Sequence, residues 1–220
     1  MKLDLRVLAL LDASNESAAV GLLQEYFAPC PPGGFTGSQF ERLGGGGDRP
    51  AIAFEYTAED LIAVTMLSVE IRREVALHIL VANQDRLSEL LRKVPTDLDL
   101  VDVDPAGITP EWPAWRLYHW LIAVPHLGRT TVTKLIARKR PRLIPIFDTE
   151  INRVLGLNNG AHWAPLAAEL QSRNRQVHNR LVELHASAQL APEVSPLRVL
   201  DVLAWRVGKG HADSLGLSQR

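Results

Sequence analysis

The sequence predicts a mostly α-helical, multi-helix fold. Three observations carry that prediction: helix-start signals recur along the chain, apolar residues repeat at helical spacing, and strand-like alternation is scarce. The opening MKLDLRVLALLDAS reads as a short amphipathic helix, because Asp4 and Arg6 interrupt an apolar stretch too broken for a signal peptide. Thr57-Ala58-Glu59-Asp60 has the form of a capping box before the apolar run Leu61–Leu67. Asn83 is placed to cap QDRLSELLRKV, whose Leu87, Leu90 and Leu91 fall on one helical face. Thr109-Pro110-Glu111 sets a cap, an N1 proline and an acid in the order that starts a helix. Ser195-Pro196 repeats the device ahead of LRVLDVLAWRVG, which ends at Gly208. The best strand candidate is Leu98–Val103.

Composition bounds the class of protein. At 220 residues, with 46% hydrophobic and 22% charged residues, the chain is an ordinary globular sequence, one large unit or two helical lobes. Cys30 is the one cysteine, which excludes a disulfide framework, a cysteine-based zinc site and a four-cysteine iron–sulfur cluster, and suits a reducing cytoplasm. No apolar run approaches the roughly 18 residues of a membrane span, so a cytoplasmic protein without membrane contact is expected. Seven histidines are scattered without an HExxH pattern, and neither a metal nor a cofactor is expected. The net charge of −1 hides an asymmetry. Residues 1–110 hold 9 Lys and Arg against 17 Asp and Glu, whereas residues 111–220 hold 15 against 8. A basic half is the footprint expected for a polyanionic partner.

Residues 29–50 form a Gly/Pro-rich loop with seven glycines (Gly33, Gly34, Gly37 and Gly44–Gly47) around Phe35 and Phe40. It lacks the Lys-Ser or Lys-Thr of a nucleotide P-loop and reads either as a linker or as a lid over a substrate. The most informative segment is 115–156. It reads as a helix, a tight Pro125-His126-Leu127-Gly128 hairpin, a second helix beginning near Thr130, and a third helix headed by Asp148. A hairpin between short helices points backbone N–H groups outward at a helix N-terminus, where a phosphate is held. Arg129, Lys134, Arg138, Lys139, Arg140 and Arg142 follow with no acid among them, which fits either a DNA backbone or a solvated face. Asp148 is equally a good helix cap and a candidate catalytic carboxylate. Trp112, Trp115, Tyr118 and Trp120 crowd the helix before the hairpin, as core residues or as a platform for an everted base.

These motifs resemble the core of the helix-hairpin-helix DNA glycosylases, the endonuclease III-like base-excision superfamily. The stretch Val124–Val132 is similar to that family's Leu-Pro-Gly-hydrophobic-Gly-x-x-Thr-Ala, and Phe147–Val154 to its Val-Asp-Thr-x-hydrophobic-x-Arg-Val. The match covers about forty residues of 220. His126 stands where the family has its first hairpin glycine. Thr130 stands where strand-cutting members carry a nucleophilic lysine, and Lys134 lies one turn further along. The whole sequence also resembles a bacterial family of unknown function sharing this core and a Phe-Thr-Gly…Gly-Gly-Gly-Gly segment. The resemblance implies a glycosylase-like fold, DNA as partner, and hydrolytic, monofunctional release of a base with Asp148 as the catalytic carboxylate. DNA contacts are then expected from Pro125, His126, Leu127, Gly128, Arg129, Thr130, Thr131, Lys134, Arg138, Lys139 and Arg140, with charge reversal at Arg138, Lys139 and Arg140 flattening the salt dependence of binding. Two rivals stand beside this reading: a non-catalytic nucleic-acid-binding module, and a helical protein whose hairpin only packs.

Overall fold

Helix caps and apolar periodicity become the architecture in a computed structural model that describes residues 3–30, 34–157, 162–213 and 215. The described residues contain helices and turns and no strand. The helices are α1 (Leu5–Leu11), α2 (Glu16–Phe27), α3 (Ala58–Thr65), α4 (Arg73–Leu77), α5 (Gln84–Arg92), α6 (Pro113–Ile122), α7 (Arg129–Lys139), α8 (Thr149–Val154), α9 (Trp163–Ser187) and α10 (Pro196–Gly208). A π-helical stretch, His78–Ala82, continues α4. The course of α9 breaks at Ser172–Arg175, where Arg173, Asn174 and Arg175 all take left-handed φ.

Local chemistry explains most boundaries. The capping box of α3 forms: Asp60 N donates to Thr57 Oγ1 at 3.4 Å, and Thr57 N donates back to Asp60 Oδ2 at 3.0 Å. Ser195 Oγ accepts from Arg198 N at 3.1 Å, with Pro196 as the first residue of α10. Three expectations are corrected. Thr109-Pro110-Glu111 forms a turn, closed by Trp112 N to Thr109 O at 2.9 Å, and α6 begins at Pro113, a second proline suited to N1. Asn83 precedes α5, but its side chain donates to His78 O at 3.1 Å and satisfies the end of the π turn instead of capping. The strand candidate Leu98–Val103 folds as a 3₁₀ turn, Leu100–Asp102, with Leu100 and Val101 buried.

Two apolar clusters organise the helices. One is built by α1, α2, α8, α9 and α10, around residues such as Val7, Leu23, Leu166 and Leu203. The other gathers α3 to α7 around Val64, Ile79, Leu91, Leu117 and Leu135. The first cluster draws on both ends of the chain and the second on its middle, so residues near 35 and 146–148 lie where the backbone passes between them. The aromatic helix face belongs to the second cluster: Trp115 packs on buried Trp163 at 4.1 Å, and Trp112 lies 5.6 Å from the same ring. No described helix is long and apolar enough to cross a membrane.

The basic run is the main departure from the sequence reading. Arg138, Lys139 and Arg140 are 2%, 0% and 1% exposed, so they present no charge to a DNA backbone. Their donors are spent on main-chain carbonyls. Arg138 Nη1 donates to Glu41 O at 2.9 Å and also reaches Phe40 O, while its Nη2 reaches Leu43 O. Lys139 Nζ donates to Gly47 O at 2.9 Å and Ile52 O at 3.1 Å. Arg140 donates to Leu91 O (2.7 Å) and Val94 O (2.9 Å) at the C-terminal end of α5, where a cation is favoured, and to Ala53 O (2.9 Å). Asp60, fully buried, pairs with Arg138 Nε at 3.0 Å and with Lys139 Nζ. The glycine-rich segment is therefore packed scaffold where it is described. Pro31, Pro32 and Gly33 lie outside the described residues.

Candidate functional site

The hairpin forms as a turn between α6 and α7. Val124 N donates to Leu121 O at 3.0 Å and Leu127 N to Val124 O at 3.1 Å, which reverses the chain. His126 sits at φ +70°, the left-handed region in which a glycine is commonest and histidine is among the better tolerated alternatives. Its Nδ1 lies 3.2 Å from Arg72 Nη1. Leu127 is buried against the second cluster, whereas Pro125, His126 and Gly128 are exposed. Gly128 precedes α7 in an extended conformation without a side-chain cap, and a Cβ built on it would meet nothing within 4 Å. The space beside Gly128, at the start of α7, is thus unobstructed. Thr130 is half-buried and Thr131 buried.

Asp148 is held in place by three elements. Its Oδ1 accepts from Glu150 N at 3.0 Å, which makes it the N-cap of α8. The residues before it are fixed from both sides: Phe147 N donates to Thr133 Oγ1 of α7 at 3.0 Å, and Ile146 N to Asp201 Oδ2 of α10 at 3.4 Å. Arg129 lies over the Phe147 ring, 5.0 Å from its centre, and so joins the hairpin to the segment that carries Asp148. The carboxylate retains 25% side-chain exposure.

That exposure is to an open pocket of about 230 Å³ between the two clusters. The volume lies just below the ~300–1,000 Å³ of drug-sized ligand sites, the scale of a single ring system. Thr130, Lys134 and Asp148 form one wall, and Phe35, Thr36, Tyr26 and Trp205 contribute to the rest. Phe35 stacks on Tyr26 at 5.2 Å and stands edge-on to Trp205 at 5.5 Å. Gly37 has no room for a side chain, since a Cβ there would fall 2.1 Å from Tyr26 Oη. The Phe35-Thr36-Gly37 part of the glycine-rich loop is thus pocket wall, and the segment around Gly44–Gly47 is its anchor.

Lys134 points into this pocket. Its Nζ donates to Leu67 O at 2.7 Å and lies 3.8 Å from Asp148 Oδ2. Burial pulls its pKa down to about 8, opposed by Asp148 and Asp201 and reinforced by Arg198. At neutral pH the side chain is still mainly an ammonium beside the Asp148 carboxylate. Beneath the pocket, Arg198 pairs with buried Glu41 at 2.7 Å and donates to Tyr26 Oη at 2.8 Å and Gly37 O at 3.1 Å. Burial also raises Asp201 to about 7, against the pull of Arg198. His162, packed against Phe147 and Trp163, is held neutral with a pKa lowered to about 3 by burial and by Arg129. Among the described residues no group of three or more His, Cys, Asp and Glu side chains is placed to hold a metal ion.

The structure therefore brings together Asp148, Thr130 and Lys134, and excludes Arg138, Lys139 and Arg140 from any surface site. Phe35 belongs to the Phe-Thr-Gly segment noted in the sequence, whereas Tyr26, Arg198 and Trp205 were not singled out by motif, because nothing local marks residues that meet only through the fold. The class of protein so defined is an all-helical protein, among the described residues, with a pocket between two apolar clusters and the α6–α7 turn beside it. Residues 19–208 match the family described as a family of unknown function (DUF6308), and the chain belongs to that family. No curated protein and no solved structure matches it.

Proposed function

We propose that this protein binds DNA and releases a base by hydrolysis, with Asp148 as the catalytic carboxylate. The observation that carries the reading is the position of Asp148: capping α8, immobilised and facing an open pocket next to the hairpin, rather than sealed by packing. In glycosidic cleavage, positive charge develops on the sugar, and a fixed carboxylate stabilises it or activates the attacking water. An everted nucleotide would place its base against the apolar wall around Phe35 and its sugar at Asp148. The Lys134 ammonium positions that carboxylate and adds a donor at the pocket's polar end. The hairpin Pro125–Thr131 would hold the adjoining phosphate at the N-terminus of α7. Release is hydrolytic in this reading, since Thr130 supplies a hydroxyl, which cannot form an imine, and Lys134 Nζ is engaged by Leu67 O and Asp148.

The test is base release from a panel of damaged and mismatched duplexes by wild type and by Asp148→Asn. Asparagine still caps a helix, so the variant should keep its melting temperature within about 2 °C and its DNA affinity, and lose release at least a hundredfold. Borohydride added during reaction with abasic DNA should trap no adduct. A wild type that binds DNA and releases nothing from the panel leaves a non-catalytic nucleic-acid module. An asparagine variant that merely melts earlier assigns Asp148 to capping alone.

A further inference from the structure

With Arg138, Lys139 and Arg140 buried, the cations available near the hairpin are a different set. A shallow groove of about 600 Å³ runs between α5 and α6 and ends at Val124 and Pro125, where the hairpin begins. Thr130, at the other end of that hairpin, lines the Asp148 pocket. On α5 and its C-cap, Arg86, Leu90 and Lys93 recur at i, i+4 and i+7 and so share one stripe. On α6 and its C-cap, Arg116, His119, Trp120 and Ala123 recur at i, i+3, i+4 and i+7 and form the facing stripe. His78 closes the groove, with its ring 5.5 Å from Trp120.

The groove lining contains three cations and two histidines and no carboxylate. Arg86, Lys93 and Arg116 are exposed. Arg86 makes an exposed surface pair with Glu89 at 2.8 Å, a type worth little and given up readily to a better anion. Lys93 and Arg116 form no ion pair among the described residues. The seven-residue step from Arg86 to Lys93 spans about 10 Å of helix, about three base-pair rises along B-DNA. Arg72, bonded to His126 at 3.2 Å, adds a cation at the hairpin tip.

We propose that this groove binds the phosphate backbone of duplex DNA beside the nucleotide that enters the Asp148 pocket. The proposal rests on the DNA reading of that pocket and gives it a track. The hairpin is the shared wall, so a strand held there carries its neighbouring phosphates across Pro125 into the groove. Leu90, Trp120, Ala123, Val124 and Pro125 give the groove an apolar base, but its charged lining is cationic with no carboxylate, and a run of exposed cations suits a repeating anion.

The test is fluorescence anisotropy of a labelled duplex of about 20 base pairs against wild type and the triple variant Arg86→Glu/Lys93→Glu/Arg116→Glu, from about 50 to 200 mM salt. Each lost phosphate contact lowers the slope of log affinity against log salt by about 0.9, so the triple variant should lose about 2 to 3 from the slope. Low-salt affinity should fall at least tenfold. The three side chains are exposed, so the melting temperature should stay near wild type; if it does not, the triple glutamine variant gives the same reading without the added repulsion. Affinity and slope unchanged in a folded variant would overturn the proposal, as would a wild type that binds phosphatidylserine vesicles through these residues but no duplex. Groove-dependent duplex binding without base release refutes only the catalytic role of Asp148, so the two failures are separable.

Discussion

Removing Asp60 tests whether the basic run of α7 is internal scaffold. Asp60 is fully buried and is the shared anion for Arg138, at 3.0 Å, and Lys139. In Asp60→Ala both cations stay buried, because their remaining donors are fixed to the carbonyls of Glu41, Gly47 and Ile52. Breaking a buried pair by deleting one partner costs about 3–5 kcal/mol, since the other charge is left uncompensated. The same carboxylate closes the α3 capping box, whose loss adds about 1 kcal/mol. The carbonyl bonds that persist offset part of this, so a net loss of about 4 kcal/mol is expected. In a chain of this length each kcal/mol moves the melting temperature by about 2–4 °C, which gives a drop of about 8–16 °C. Thermal unfolding followed by circular dichroism measures it. A double-mutant cycle with Lys139→Met should show coupling of about 0.5–3 kcal/mol, because the methionine removes the charge that Asp60 neutralises. A drop below about 3 °C, or additive effects in the cycle, would refute the buried triad and return Arg138 and Lys139 to the solvent face.

Two further outcomes follow from the same geometry. A Cβ on Gly47 would fall 2.5 Å from Arg138 O and 2.7 Å from Asp60 Oδ1, atoms the triad holds in place. Gly47→Ala should therefore melt several degrees lower than wild type, whereas Gly107→Ala, where a Cβ meets nothing within 4 Å, should not. Lys134 sets a pH dependence. Its folded pKa of about 8 lies below its ordinary 10.5, so the unfolded chain binds the extra proton between those values. Its burial cost is in full force below about pH 8 and fades as pH rises toward 10.5, so this group makes stability rise across that window. Melting curves of Lys134→Met should lack that increment. Base release should move oppositely, declining above about pH 8 as the ammonium beside Asp148 is lost, and a rate that climbs through pH 9 would contradict the positioning role.

What the sequence revealed and what it hid divides along physical lines. Signals that act within one turn were legible. Thr57 with Asp60, Ser195 with Pro196, and Asp148 before Glu150 each declare a helix start because the capping side chain and the backbone N–H it accepts from lie two or three residues apart. The hairpin was legible for the same reason, and His126 takes the left-handed conformation its position requires despite its side chain. Cations were not legible, since a run without acids reads alike whether it faces water or a shell of carbonyls. The partners of Arg138 and Arg140 lie 46 to 98 residues away, on a loop and on helix ends that only the fold delivers. The pocket was half legible. Asp148, Thr130 and Phe35 belong to motifs, but Tyr26, Arg198 and Trp205 reach it from the two chain ends that build the first cluster. The glycine-rich loop, which the sequence leaves open as linker or lid, shows how one choice propagates. As linker, it frees the cations for DNA; packed as pocket wall and anchor, it consumes them, and any polyanion must then be met by the separate cations of α5 and α6.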